Sequence, residues 1–473
     1  MKHVLFNSLG FAIFLPVVLG LYWLLPHRPR TLLLLVASYF FYGLWDWRFL
    51  SLIFISTVVD FQVGKRLTRA DEGGHRRRLL FASLFVNLGI LATFKYFDFF
   101  IDSAIGFLSW FGLSPNPPLL EVLLPVGISF YTFQTLSYTF DIYRRRMEPT
   151  DDFLTFATFV AYFPQLVAGP IERAKRLLPQ LQTERTRPSA ETLRAGLFLI
   201  VFGLFKKVAI ADALGGFVQT TFNDASSTSW VTLVVGSWAL LLQFYGDLSG
   251  YSDIARGTSK LFGIELMRNF EQPLLSRNIT EFWRTWHISL SSWLHDYLYV
   301  PLGGNRRGKL LRYRNLMITM LLGGLWHGAS LNFVVWGGLH GAALCVHQML
   351  GGGVKRDESP PLRFVDTPRI VATYTIVSFI TVFFLPERIG DALTYLAGIF
   401  TLQGGAMNLD GVVLLAICMT FVMAFELAQR LTGRHDVLLR WPATVRGLSY
   451  GALILWLMIW IGGAAQEFIY FQF

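Results

Sequence analysis

Charge is scarce in this chain. Asp, Glu, Lys and Arg make up 15% of its 473 residues, where soluble domains carry about 25%. Hydrophobic residues make up 53%. They recur in runs of roughly 17 to 20, long enough to cross a hydrocarbon core, so an ordinary soluble fold is excluded. Cysteine is scarcer still. Cys345 and Cys418 both lie in apolar stretches with no metal-type or redox spacing, and two residues cannot make a disulfide framework. Internal repeats, low-complexity tracts and hydrophilic domains are also missing. Gly351–Pro361 is a short polar loop rather than a linker. The expectation is one all-α, polytopic membrane domain over residues 1–473, because backbone in lipid must satisfy its own hydrogen bonds.

The net charge of +10 does not indicate nucleic acid. The basic residues cluster in short loops between apolar runs, as the positive-inside rule describes. Candidate membrane segments are Leu9–Leu25, Thr31–Trp45, Phe49–Val63, Leu79–Tyr96, Leu119–Phe140, Phe153–Pro170, Leu193–Leu214, Trp230–Tyr245, Tyr251–Phe262, Leu316–Phe333, Val334–Met349, Ile370–Leu385, Val412–Leu427 and Leu448–Ile461. Leu9–Leu25 is long for a signal sequence and no A-x-A-like site follows it, so it reads as a retained span. Phe153–Pro170 has basic residues on both sides and reads as re-entrant. Loops at Arg28/Arg30, Lys65–Arg78, Arg144–Arg146, Arg173–Arg187, Lys206/Lys207, Arg306–Arg314 and Arg430–Arg446 are expected to be cytoplasmic. Those at Asp98–Pro118 and Gln219–Ser229 are expected outside, with both termini.

Two runs carry the chemistry. Glu281–Arg307 (EFWRTWHISLSSWLHDYLYVPLGGNRR) and Leu321–Gly341 (LLGGLWHGASLNFVVWGGLHG) each set a histidine beside tryptophan: Trp286-His287 and Trp326-His327. The second run has no formally charged residue, and an ionisable group at membrane depth is a functional hypothesis by default. On a helix, Gly323 and Gly324 lie one turn before His327 and would leave a slot beside its imidazole. The competing reading is a G-x-x-x-G packing contact at Gly324 and Gly328. If Glu281–Tyr297 is helical, Trp283, His287, Ser291 and His295 form one stripe. That stripe suits either a lined tunnel or an interfacial helix anchored by its tryptophans.

His287, His295, His327 and His340 lack helical metal-site spacing and an acidic companion, so no metal is expected. Pro301–Arg314 has five basic residues, Arg306, Arg307, Lys309, Arg312 and Arg314. With a weak nest from the Gly303-Gly304 amides, it would hold donor phosphates, or it is an ordinary cytoplasmic loop. In Tyr245–Ala255, Asp247 and Asp253 lie in or beside a span and require partners. Gln466–Phe473 (QEFIYFQF) closes the sequence with an aromatic anchor or with Tyr470 as a usable hydroxyl.

Taken together these stretches, with Leu124–Tyr143, Phe163–Arg173 and Gly203–Asp212, resemble the alginate O-acetyltransferase branch of the membrane-bound O-acyltransferase family. The departure at Leu248, where phenylalanine is expected, touches nothing catalytic. The resemblance implies a helix bundle with re-entrant or interfacial helices around a central tunnel. It implies His327 as the essential histidine, His287 as its second partner in the tunnel, and Tyr470 in acyl relay. It also implies acetyl-CoA as donor with no permanently bound cofactor, the bacterial inner membrane as location, a periplasmic acetyltransferase partner, and an exopolysaccharide as final acceptor. The donor-binding candidates are Arg306, Arg307 and Lys309. D-alanyl or peptidoglycan acyl transfer is the alternative within the family. A lipid-linked sugar transporter is the alternative outside it, though no inverted repeat marks one.

Overall fold

The computed structural model describes residues 6–70, 73–113, 124–167, 169–306, 308–352, 361–460 and 468. Among them every regular element is a helix, and pairing between extended segments is limited to one isolated bridge, Thr228 with Ala406. The chain is an all-α polytopic membrane protein, as expected. Five helical runs are long and apolar enough to cross a membrane: His27–Arg69, Gly74–Ser109, Trp230–Leu261, Phe364–Phe384 and Leu409–Thr432. Shorter apolar helices cover Leu9–Leu24, Phe153–Leu166, Ile389–Phe400 and Ala443–Ile459.

Four expectations about segments change. Trp230–Tyr245 and Tyr251–Phe262 are one continuous helix, Trp230–Leu261. Its glycines do not break it because they serve close packing: a Cβ at Gly250 would lie 2.7 Å from the Gly203 carbonyl oxygen. The break expected between Phe333 and Val334 falls earlier, at Gly328–Ser330. There Gly328 is extended, and the Ser330 hydroxyl caps the next helix by accepting the Asn332 N–H at 3.2 Å. The stretch Asp98–Pro118, read as a loop, contains helix Phe97–Ser109. Lys206 and Lys207, read as a cytoplasmic loop, are buried within a π-helical stretch, Phe205–Asp212. Positive charge alone does not distinguish a loop from a buried cation that has counter-ions nearby.

The residues divide into two compact units. Residues 1–196 with 255–267 form one, and residues 197–254 with 268–473 form the other. The first unit centres on aromatic rings. Phe163 meets Phe14 at 5.3 Å, Phe41 at 5.8 Å and Phe262 at 5.9 Å. Beside them, the fully buried Asp60 carboxylate accepts bonds from Asn87 at 2.9 Å, Thr139 at 3.1 Å and the Ser83 hydroxyl. Three helices are joined through that single charge: Leu50–Arg69, Gly74–Leu91 and Ile128–Tyr143. A buried carboxylate is tolerable when its lone pairs are taken up in this way.

In the second unit, helices Lys309–His327 and Leu331–Met349 form an antiparallel pair joined by three residues. Their backbones touch. A Cβ on Gly324 would lie 3.2 Å from the Gly337 Cα and would collide with the Phe333 carbonyl oxygen. Small residues at such contacts let helices associate without a hydrophobic driving force between them.

This packing sets opposite expectations for two alanine substitutions. At Gly203 an added Cβ would sit 2.5 Å from the Gly250 carbonyl oxygen, and overpacking of this kind costs about 1–3 kcal/mol. At Gly447, exposed in helix Ala443–Trp460, nothing lies within 4 Å of an added Cβ, and the lost backbone entropy of glycine is recovered as about 0.5–1 kcal/mol. Thermal unfolding in detergent is expected to rank Gly447→Ala at or above the parent and Gly203→Ala below it. The reverse order would contradict the packing.

Candidate functional site

His327 is the last residue of its helix and is 5% exposed. The slot expected beside its ring is filled. Gly324 presses on the backbone of Leu331–Met349, Gly323 faces Leu294 at 3.1 Å, and the Phe333 ring occupies the place a Gly328 side chain would need. The packing reading of these glycines is the one the structure shows.

Space lies elsewhere around the imidazole. A cavity with about 360 Å³ of empty volume is lined by His327, His340, Trp286, Trp336, Phe244 and Phe384, with Leu241, Leu248, Phe282, Val377 and Thr381. None of these residues is Asp, Glu, Lys or Arg. The rings stand edge to face: His327 lies 4.9 Å from Trp336 and 5.2 Å from Phe384, and Trp336 lies 4.6 Å from His340. Trp336 and His340 are i and i+4 on one helix, which places them on one face. His340 is fully buried, and its Nδ1 accepts the Trp283 indole N–H at 3.3 Å. From sequence His340 entered only as a metal candidate; its partnership with Trp283 depends on tertiary packing.

The stripe proposed for Glu281–Tyr297 does not form. Helix Ile279–Thr285 stops, His287 takes a left-handed conformation at φ 43°, and helix Ile288–Leu294 begins anew. That backbone is uncommon for a residue with a Cβ and persists only where the surrounding structure holds it. Asn269 holds it. Its carbonyl accepts the Ile288 N–H at 2.8 Å, and its side-chain oxygen accepts the Ser289 hydroxyl at 2.8 Å and the Ser289 N–H at 3.2 Å. No local signal in the sequence singles out Asn269. The break takes His287 out of the His327 cavity. It is 2% exposed, with its ring 6.0 Å from Trp326 and 6.1 Å from Phe270. His295 is half exposed and pairs with Asp296 at 2.8 Å, apart from the others. Among the described residues, no three His, Cys, Asp or Glu side chains group as a metal site requires.

A second cavity, with about 500 Å³ of empty volume, is polar. It is lined by Lys206, Asp253, Glu426, Asn269, Gln272, Gln429 and His435 among aromatic walls. Lys206 pairs with Asp253 at 2.6 Å, and Lys207 lies 2.8 Å from both Asp212 and Asp247. The counter-ions expected for Asp247 and Asp253 are therefore present, and they are the two lysines misread as a loop.

In the basic loop, Arg306 and Lys309 are exposed, while Arg307 lies outside the described residues. The nest expected from Gly303 and Gly304 is not available. Their amides donate to the Val300 carbonyl at 3.1 Å and the Tyr299 carbonyl at 3.0 Å, and buried Asn315 donates to the Gly304 carbonyl at 3.1 Å. The loop and His327 sit at opposite ends of a 19-residue helix, about 28 Å apart along its axis. The structure thus does not bring the predicted donor residues to the predicted base. Tyr470 also lies outside the described residues. Its neighbour Phe468 is fully buried with its ring 4.2 Å from Tyr251.

A family model described as MBOAT, membrane-bound O-acyltransferase family, matches residues 144–386. The chain is 44% identical over 359 residues to the probable alginate O-acetylase AlgI of Pseudomonas aeruginosa, covering 75% of this chain and 68% of that protein. It is 36% identical over 435 residues to the peptidoglycan O-acetyltransferase of Helicobacter pylori, covering 85% and 80%. It is 24% identical over 274 residues to the teichoic acid D-alanyltransferase of Bacillus subtilis, covering 56% and 69%.

The buried ion network yields a stability prediction. Lys207→Met would leave two buried carboxylates without their shared cation, and breaking a buried pair in this way costs about 3–5 kcal/mol. Low folded yield is expected for Lys207→Met, with partial recovery when Asp247→Asn is added. An undiminished yield of the single variant, measured by size exclusion in detergent, would show that the lysine is dispensable.

Proposed function

Because the chain belongs to the membrane-bound O-acyltransferase family, we propose that it passes acetyl groups from cytoplasmic acetyl-CoA across the bacterial inner membrane to O-acetylate an exopolysaccharide of alginate or cellulose type. The family makes it a membrane O-acyltransferase. The finer reading is carried by one observation: His327 opens on a small cavity of aromatic and aliphatic walls with no formal charge. An acetyl group is small and uncharged and suits such a space. The polyanionic body of CoA does not, and stays on the cytoplasmic side. Acetate is preferred to D-alanine because the relatives named for O-acetyl transfer match more of the chain at higher identity.

In this reading residues 1–473 act as one membrane domain. The charge pattern supports a cytoplasmic basic loop, in which Arg306, Arg307 and Lys309 hold the donor's phosphates. The length of the following helix means that they grip the donor's body and never meet the reacting carbon. His327 acts as general base on the acceptor hydroxyl, since neutral imidazole has the proton affinity the task needs. His287, behind Trp326, is its second partner along the acyl path. Tyr470 offers a relay hydroxyl on the outer side, from which a periplasmic acetyltransferase partner places acetate on the polymer.

His327→Ala is expected to leave a folded, membrane-inserted protein and to cut polymer acetylation by about 10²–10⁴-fold, read as ester content of the secreted polymer. Near-normal acetylation would remove His327 from the mechanism. Tyr470→Phe keeps the ring and deletes one oxygen. Loss of acetylation at normal protein level is expected if the hydroxyl relays acyl groups, and full activity would leave Tyr470 only an anchor.

A further inference from the structure

The His327 cavity contains two nitrogen donors that general-base catalysis leaves unused. Trp336 is 6% exposed, and its indole N–H has no hydrogen-bond partner among the described residues. A buried donor left unpaired costs about 1–3 kcal/mol, and such orphans in native interiors call for a partner that is absent or transient. His340 supplies the second donor. Its Nδ1 accepts the Trp283 indole N–H, which assigns the ring proton to Nε2. Among the described residues no other hydrogen bond engages that ring. Trp336 contacts both imidazoles, at 4.9 Å from His327 and 4.6 Å from His340. His327 and the two residues that carry these donors line one cavity.

The chemistry requires such donors. When a hydroxyl attacks an acyl carbonyl, negative charge develops on the carbonyl oxygen. Among the described residues no Lys or Arg lines this cavity, so N–H groups are the donors placed to take that charge. We propose that Trp336 Nε1–H and His340 Nε2–H form the donor pair that binds the acyl carbonyl oxygen and stabilises it as an oxyanion; the inference rests on the acyl-transfer reading above. His327 takes the proton of the acceptor hydroxyl as its oxygen forms the new C–O bond and the carbonyl π pair moves onto oxygen. Collapse restores the carbonyl and breaks the C–S bond of the acyl thioester. The leaving thiolate then takes the proton back from His327, so an acyl thioester and an alcohol give an ester and a thiol. Trp283 is a positioning residue that acts by fixing the His340 tautomer.

The test uses the full-length protein in inside-out membrane vesicles from polymer-producing cells, supplied with radiolabelled acetyl-CoA. Trp336→Phe keeps the ring and removes the N–H. It is expected to lower kcat by about 10²-fold, the scale of one lost oxyanion donor, with little change in KM for acetyl-CoA. His340→Leu is expected to act likewise, and His340→Asn, which keeps an N–H donor, to recover part of the loss. Trp283→Phe is expected to lower kcat with KM unchanged. If Trp336→Phe reduces protein level, the His340→Leu and His340→Asn comparison decides. Wild-type kcat in both Trp336→Phe and His340→Leu overturns the proposal, as does activity lost only in step with folded protein. His327→Ala is measured alongside. An active His327→Ala defeats the acyl-transfer reading itself, whereas an inactive one beside fully active Trp336→Phe and His340→Leu defeats only the donor pair.

Discussion

Backbone contact between two helices at glycine is the constraint on which the candidate site depends. Where Gly324 meets Gly337 there is no side chain to adjust, so the spacing of Lys309–His327 and Leu331–Met349 is set by main-chain atoms alone. A three-residue connection leaves the pair little freedom to slide. His327 at the end of one helix is thereby held against Trp336 and His340 on the other. Contact of this kind fixes polar groups in place, so that they need not rearrange before they act.

Elsewhere the cost of burying charge shapes the structure. Asp60 joins three helices of the first unit by accepting neutral donors. In the second unit, Lys206 and Lys207, within one stretch of irregular helix, are offset by Asp212 of that stretch and by Asp247 and Asp253 of the Trp230–Leu261 helix. Widened turns such as Phe205–Asp212 are unusual in helices and concentrate where function is built. Two cavities of opposite character result. One is charge-free and aromatic around His327, and the other is lined by an ion pair and amides.

The helix leading from the basic loop to His327 spans nearly the thickness of a hydrocarbon core, about 30 Å. The proposed donor-holding loop and the proposed base stand at opposite ends of one element. A donor with a polyanionic body and a slender reactive arm suits that division better than a compact one.

Much of this was legible beforehand. Membrane class and all-α architecture follow from apolar run length, which is a local property, and the family was legible as a resemblance carried by its motifs. The need of Asp247 and Asp253 for partners was legible from the cost of buried charge, but the identity of those partners was not. Lys206 and Lys207 have the sequence appearance of a loop, and the Trp230–Leu261 helix beside them makes them counter-ions of Asp253 and Asp247. The Glu281–Tyr297 stripe failed because Asn269, in the non-helical segment before that stretch, holds His287 in a left-handed turn that periodicity cannot register. The slot beside His327 closed for the same reason: a glycine leaves room on its own helix, and the neighbouring helix decides whether that room stays empty. Sequence by itself determined which segments are apolar enough to bury and which residue types are available for chemistry, because hydrophobicity and proton affinity belong to each residue. Tertiary structure alone decided that His340 and Trp336, rather than His287, share the cavity of His327, because proximity between helices is a property of their packing.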